Sequence, residues 1–268
     1  MVTDRGNTGT QAEPGGDTGT QTEPGHVFDD ESDGMTESLA SAVRYPAESD
    51  DVVTTVLVGG LLTLFGFLVV PLFVLAGYLV EAVDRTAAGD EVPPAFDELG
   101  EMAVTGIKAV VIGIVYGFVP LLVGVGGVVV GIAGIGVGGD GALGGLGLLG
   151  ILLAGLVSLI LAVLVGFLLP AALANFARTR SIGSAFDIGI LKPIWMSRPY
   201  AVTWVTMVVV LLIGGLVAAV LNVVPVLGTV AGAFVGFYFS VAAYSVLGRS
   251  WSSLPGVGRA RYDVSRKL

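Results

Sequence analysis

Two carboxylates stand at matched places in the chain. Asp97 and Asp187 each close an Ala-Phe-Asp segment in a connection between long apolar stretches. Such a pair has three uses: capping a helix N-terminus, pairing with a nearby arginine such as Arg85 or Arg178, or acid–base work on a lipid at the membrane surface. Capping or pairing is the expected role. Phe96 and Phe186 would then anchor a short amphipathic helix at the cytoplasmic interface. Inside the apolar stretches the polar groups are few, and Ser158, Asn175 and Asn222 are the candidates to meet a substrate. The two asparagines sit near stretch ends, where caps and interhelical hydrogen bonds are commoner than ligands. Pro71, Pro120, Pro170 and Pro225 interrupt or border the same stretches. Proline removes a helix hydrogen bond and bends the chain. These four are expected to be static kinks or, for Pro225, a helix end, with hinges around a binding site as the alternative.

Other chemistry is excluded by residue type. There is no cysteine, and the single histidine, His26, lies in a polar leader. Thiol catalysis, thiolate metal sites and two-histidine metal helices are therefore absent. Residues 124–139 are glycine-rich but contain no Lys or Arg, so they read as helix packing rather than a phosphate loop. No Asp, Glu, His or Arg occupies the centre of an apolar stretch, which argues against an ion-coupled pump. No catalytic residue, cofactor or metal is expected.

The elements that must position these residues are membrane helices. The chain is 54% hydrophobic and only 13% charged, against roughly 25% charged in soluble domains. Apolar stretches cover residues 52–80, 103–137, 142–177, 201–224 and 226–247. Each is long enough to cross a bilayer, which takes about 20 residues. The expected fold is all-α: a polytopic transmembrane helical bundle over residues 45–250. Its paired glycines would let helix backbones approach closely.

Residues 1–44 read as a disordered, acidic, low-complexity tail. TGTQAEPG recurs ten residues later as TGTQTEPG, and residues 1–51 carry 12 acidic and 2 basic side chains. The tail lacks the basic start and early apolar run of a signal peptide. Its charge opposes contact with nucleic acid. Residues 251–268 form a basic tail. Arginine and lysine collect between the first and second stretches, between the third and fourth, and after the fifth. The other two connections have none, which places the basic connections and the C-terminus in the cytoplasm of a multi-pass cell-membrane protein. Five single crossings would leave the acidic tail outside. A first stretch that breaks near Pro71, entering and leaving on one side, would instead put both ends inside.

The chain also resembles itself. Gly66-Phe67-Leu68 with Pro71, then Ala95-Phe96-Asp97, then Val119-Pro120 is echoed by Gly166-Phe167-Leu168 with Pro170, then Ala185-Phe186-Asp187, then Val224-Pro225. The expected organisation is a parallel repeat of a two-span unit.

An ordered series of residues points to a family. It runs Tyr45-Pro46, Gly59-Gly60-Leu61-Leu62, Pro71, Gly77-Tyr78, Pro93-Pro94-Ala95-Phe96-Asp97 and Tyr116 to Pro120. It continues through Pro170-Ala171-Ala172, Ala185-Phe186-Asp187, Arg198-Pro199-Tyr200 and Asn222 to Gly228. Over residues 45–250 this resembles the archaeal membrane family catalogued as domain of unknown function number four thousand and thirteen. The resemblance implies a helical membrane protein of a salt-loving archaeon, and it implies no activity, substrate or site residue. The expected function is non-enzymatic: a structural or partner-binding component or a transport accessory, touching the lipid bilayer, with a protein partner or a second copy of the chain as its companion. A transporter or channel for a small uncharged or lipid-like substrate is the alternative, and a lipid-acting membrane enzyme a weaker one.

Overall fold

In lipid the backbone must satisfy its own hydrogen bonds, so an apolar chain of this length is driven into helices. The computed structural model describes residues 24–49, 51–139, 141–255 and 257, with side chains from residue 34 onward. It contains helices α1 (Pro24–Arg44), α2 (Val52–Leu64), α3 (Val69–Ala88), α4 (Leu99–Gly138), α5 (Ala142–Thr179), α6 (Ile188–Trp195), α7 (Arg198–Leu221) and α8 (Pro225–Trp251). No strand occurs among the described residues. Four helices, α4, α5, α7 and α8, are long and apolar enough to span a membrane.

The leader expected to lack structure as far as residue 44 is helical from Pro24. Its C-terminal half lies against α7 and α8 because it has something to bury. Ala42 and Tyr45 are fully enclosed, and the Tyr238 hydroxyl donates to the Val43 carbonyl. Residues 1–23, with all but the last two residues of the ten-residue repeat, and the arginines beyond residue 257 lie outside the described residues, as does Asp140.

The first apolar stretch is two helices, not one. The chain turns at residues 65–68, where Leu68 adopts an extended conformation before α3 begins. Pro71 falls in the first turn of α3, where its missing N–H has no helical partner to lose. The break therefore precedes the proline. Gly59 lies against the Phe237 ring and Gly60 against the Phe234 ring, while Tyr78 of α3 also contacts Phe237. Further along, Gly248 of α8 meets Thr86 of α3. Thus α2 runs antiparallel to α8, α3 runs parallel to it, and the two form a hairpin seated on one helix. Asp51 opens α2 by accepting from the Thr54 N–H and hydroxyl, and these bonds hold its carboxyl below the usual carboxylate range.

Helices α4 and α5 have 40 and 38 residues. At 1.5 Å per residue they are about 60 and 57 Å long. Both exceed a hydrocarbon core of about 30 Å, so they tilt within it or extend beyond it. They pack through small residues along their length: Gly124 on Ser158, Gly127 on Ala154, Gly131 on Ile151 and Gly134 on Gly147. Gly77 and Gly106 similarly bring α3 and α4 into backbone contact. The main core lies where α3, α5, α7 and α8 converge, around Val83, Ala171, Phe176, Val210 and Leu247.

Candidate functional site: a charged cleft beside an ionic clamp

Three polar residues of the apolar stretches, Ser158, Asn175 and Asn222, are engaged with backbone. The Ser158 hydroxyl donates to the Pro120 carbonyl at 2.7 Å, joining α5 to α4. Asn175 donates to the Ser184 carbonyl at 2.9 Å and so ties the end of α5 to the connection that follows. Asn222 donates to the Ala218 carbonyl and accepts from Thr229, closing the α7–α8 turn. Pro225 is the first residue of α8, a position that tolerates its missing N–H.

Pro120 and Pro170 lie inside helices. Proline at 170 deprives the Gly166 carbonyl of its donor and tilts its neighbours outward. Three aromatic side chains answer three successive carbonyls. Trp204 donates to Gly166 at 2.9 Å, the Tyr200 hydroxyl to Phe167, and Trp195 to Leu168 at 3.1 Å. The turn of α5 before Pro170 is therefore tied to α6 and α7. Tyr200 is itself buried, as are Tyr78 of α3 and Trp251 of α8.

Charge concentrates at the other end of the same helices. The last turns of α3 carry Glu81, Asp84 and Arg85, and the end of α5 carries Arg178 and Arg180. Arg178 binds the Asp84 carboxylate at 2.6 Å and also its carbonyl. Arg180 reaches Glu81 and, at 2.9 Å, Asp84. Arg180 ends α5 in the left-handed region, at φ 56, where glycine is the ordinary occupant. Partial burial would lower its pKa, but Glu81 and Asp84 outweigh this and hold the guanidinium above its ordinary value. With side chains 25% to 42% exposed, each pair contributes on the order of 1 kcal/mol or less. The clamp positions more than it stabilises.

Beside the clamp, between α3 and α4, lies a cleft of about 800 Å³. Glu81, Arg85 and Arg180 form one wall. Asp97, Glu98, Glu101, Thr105 and Lys108 form the other. Among the described residues, Asp97, Glu98, Glu101 and Lys108 make no ion pair and the Thr105 hydroxyl makes no hydrogen bond. Nearby lies a second group, whose side chains do not line the cleft. The Phe96 ring stacks on Tyr78 at 4.4 Å, and the Arg249 guanidinium lies 5.1 Å from the Tyr45 ring centre. The Tyr45 and Tyr78 hydroxyls are buried with no hydrogen-bond partner among the described residues.

The two Ala-Phe-Asp segments thus part company. Both rings stack on a tyrosine, Phe96 on Tyr78 and Phe186 on Tyr116. Asp187 caps α6 by accepting from the Gly189 and Ile190 N–H groups, whereas Asp97 faces the cleft. Asp187 does not line that cleft, so the paired-carboxylate arrangement of a lipid-acting enzyme is not assembled there. Asp97 and Arg85 apart, the charged residues of the cleft were not singled out by the sequence reading. Their signal was present: Glu101, Thr105 and Lys108 fall at i, i+4 and i+7, one face of a helix. Nothing in the residue type announced the left-handed Arg180.

No curated protein and no solved structure matches the chain. Residues 61–223 match the family described as "Protein of unknown function (DUF4013)". That match begins in α2, takes in the α3–α4 cleft, the ionic clamp and the turn of α5 before Pro170, and ends at the α7–α8 turn. On this match over most of its length, the chain belongs to the DUF4013 family.

Proposed function

We propose that the protein is a non-enzymatic component of the cell membrane that acts by binding at the charged cleft between α3 and α4. One contrast carries this reading. Ser158, Asn175 and Asn222 each donate to a backbone carbonyl, while charged side chains that make no ion pair among the described residues gather at the cleft. A conduction path needs free polar groups at mid-membrane; a binding surface needs them at the edge.

The basic residues support an orientation. Arg85, Arg178 and Arg180 share one end of the bundle, and Arg249 approaches Glu48 of the N-terminal arm at 3.9 Å. By the positive-inside rule this end faces the cytoplasm. With α2 and α3 as a hairpin that enters and leaves on that side, the acidic leader is cytoplasmic too. The paired Gly-Phe-Leu and Ala-Phe-Asp segments support descent from a duplicated two-span unit, and the acidic leader fits a high-salt cell.

Reconstitution tests the reading. Liposomes containing the protein, shrunk in glycerol and followed by light scattering, are expected to re-swell at the rate of protein-free liposomes. A saturable acceleration that Ser158→Val abolishes would replace binding with facilitated passage.

A further inference from the structure

We propose that the cleft holds a zwitterionic phospholipid head, with phosphate inward at Lys108 and Thr105 and ammonium outward at Glu101. The proposal rests on the cleft being a binding site and adds the ligand's chemistry. Glu101, Thr105 and Lys108 all line it from one face of α4. Along the helix axis Thr105 lies about 6 Å and Lys108 about 10 Å inward of Glu101, at 1.5 Å per residue. From Lys108 to Gly138 the helix has no further charge, so Lys108 is the innermost ionised group of the cleft wall. A lysine at the edge of an apolar run turns its ammonium back toward the interface, which here is toward the Thr105 hydroxyl.

The other cations of the cleft are engaged, Arg85 by Glu81 and Arg180 by Glu81 and Asp84. This leaves an unpaired cation inward and the carboxylates of Asp97, Glu98 and Glu101 outward. A simple anion would satisfy Lys108 and be repelled by the three carboxylates. A simple cation would do the reverse. A head with phosphate beside the glycerol backbone and an amine beyond it presents both charges in the order of the cleft. A volume of about 800 Å³ lies within the range of about 300–1,000 Å³ for small-ligand sites.

The test is native mass spectrometry of the full chain in detergent. It is titrated with short-chain phosphatidylethanolamine, with phosphatidylglycerol, and with soluble phosphoethanolamine. One phosphatidylethanolamine per chain is expected, held about tenfold more tightly than phosphatidylglycerol, a difference well within reach of one charge contact. Lys108→Gln should weaken it about tenfold, Lys108→Arg should retain it, and Glu101→Gln should erase the preference over phosphatidylglycerol. Size-exclusion profiles matching the parent chain show that the variants fold, and Lys108→Arg keeps the comparison if Lys108→Gln does not. Equal retention of both lipids, each weakened by Lys108→Gln, would overturn the zwitterion while keeping the cleft. Retention of both lipids unaffected by Lys108→Gln would overturn the cleft and the proposed function with it. Displacement of the lipid by phosphoethanolamine at matching concentration would overturn the lipid as source.

Discussion

Arg180 and Pro170 show how single residues set this site. A non-glycine residue in the left-handed region costs roughly 1–2 kcal/mol. The exposed ion pairs of Arg180 contribute no more than that, so its guanidinium is kept for where it points rather than for stability. At Pro170 the accounting is different, because the groups are in the spans. The Trp204 N–H supplies the hydrogen bond that Pro170 cannot give to Gly166. Trp204→Phe is expected to destabilise the protein by about 1 kcal/mol, given that hydrogen bonds between membrane helices average about 0.6 kcal/mol and reach about 1.7. In a Pro170→Ala background the helix regains its own donor, and the same substitution should cost measurably less. Unfolding in mixed micelles, read as a double-mutant cycle, checks this. Additive losses would show that Trp204 does not serve the proline. Both residues are plain in the sequence, but nothing in their spacing of 34 residues paired Trp204 with Pro170.

Element boundaries follow from contacts that hydropathy does not see. Residues 52–80 carry no charge, so no charged residue marks the turn at residues 65–68. The turn is set by packing, with Gly59 and Gly60 laid on the Phe237 and Phe234 rings of α8. By contrast, the long apolar runs of α4, α5, α7 and α8 were legible directly, because a span needs only length and the absence of charge. The glycines divide in the same way. A Cβ at Gly77 would lie 1.8 Å from the Met102 carbonyl oxygen, whereas one at Gly113 meets nothing within 4 Å. Gly77→Ala must push α3 from α4 and should cost about 1–3 kcal/mol or more. Gly113→Ala should cost nothing, since alanine is the better helix former by about 1 kcal/mol. Stability in detergent distinguishes the two, and equal effects would mean that α3 and α4 are not in backbone contact.

At the scale of the molecule, the bundle separates a quiet interior from a charged end. The class of fold, the glycine packing and the gathering of basic residues in alternate connections could all be read from composition and order along the chain. The cleft could not, because it forms only when the end of α3, the start of α4 and Arg180 are brought together. The absence of cysteine makes the decisive measurement direct. Single cysteines at position 105 in the cleft and position 158 in the α4–α5 interface can be challenged in sealed vesicles with a membrane-impermeant thiol reagent. The Thr105→Cys chain should react, and only from the face that carries Arg85 and Arg249. The Ser158→Cys chain should resist from both faces. Labelling at position 158 would reveal a water path through the bundle and contradict a protein that works by binding at its edge.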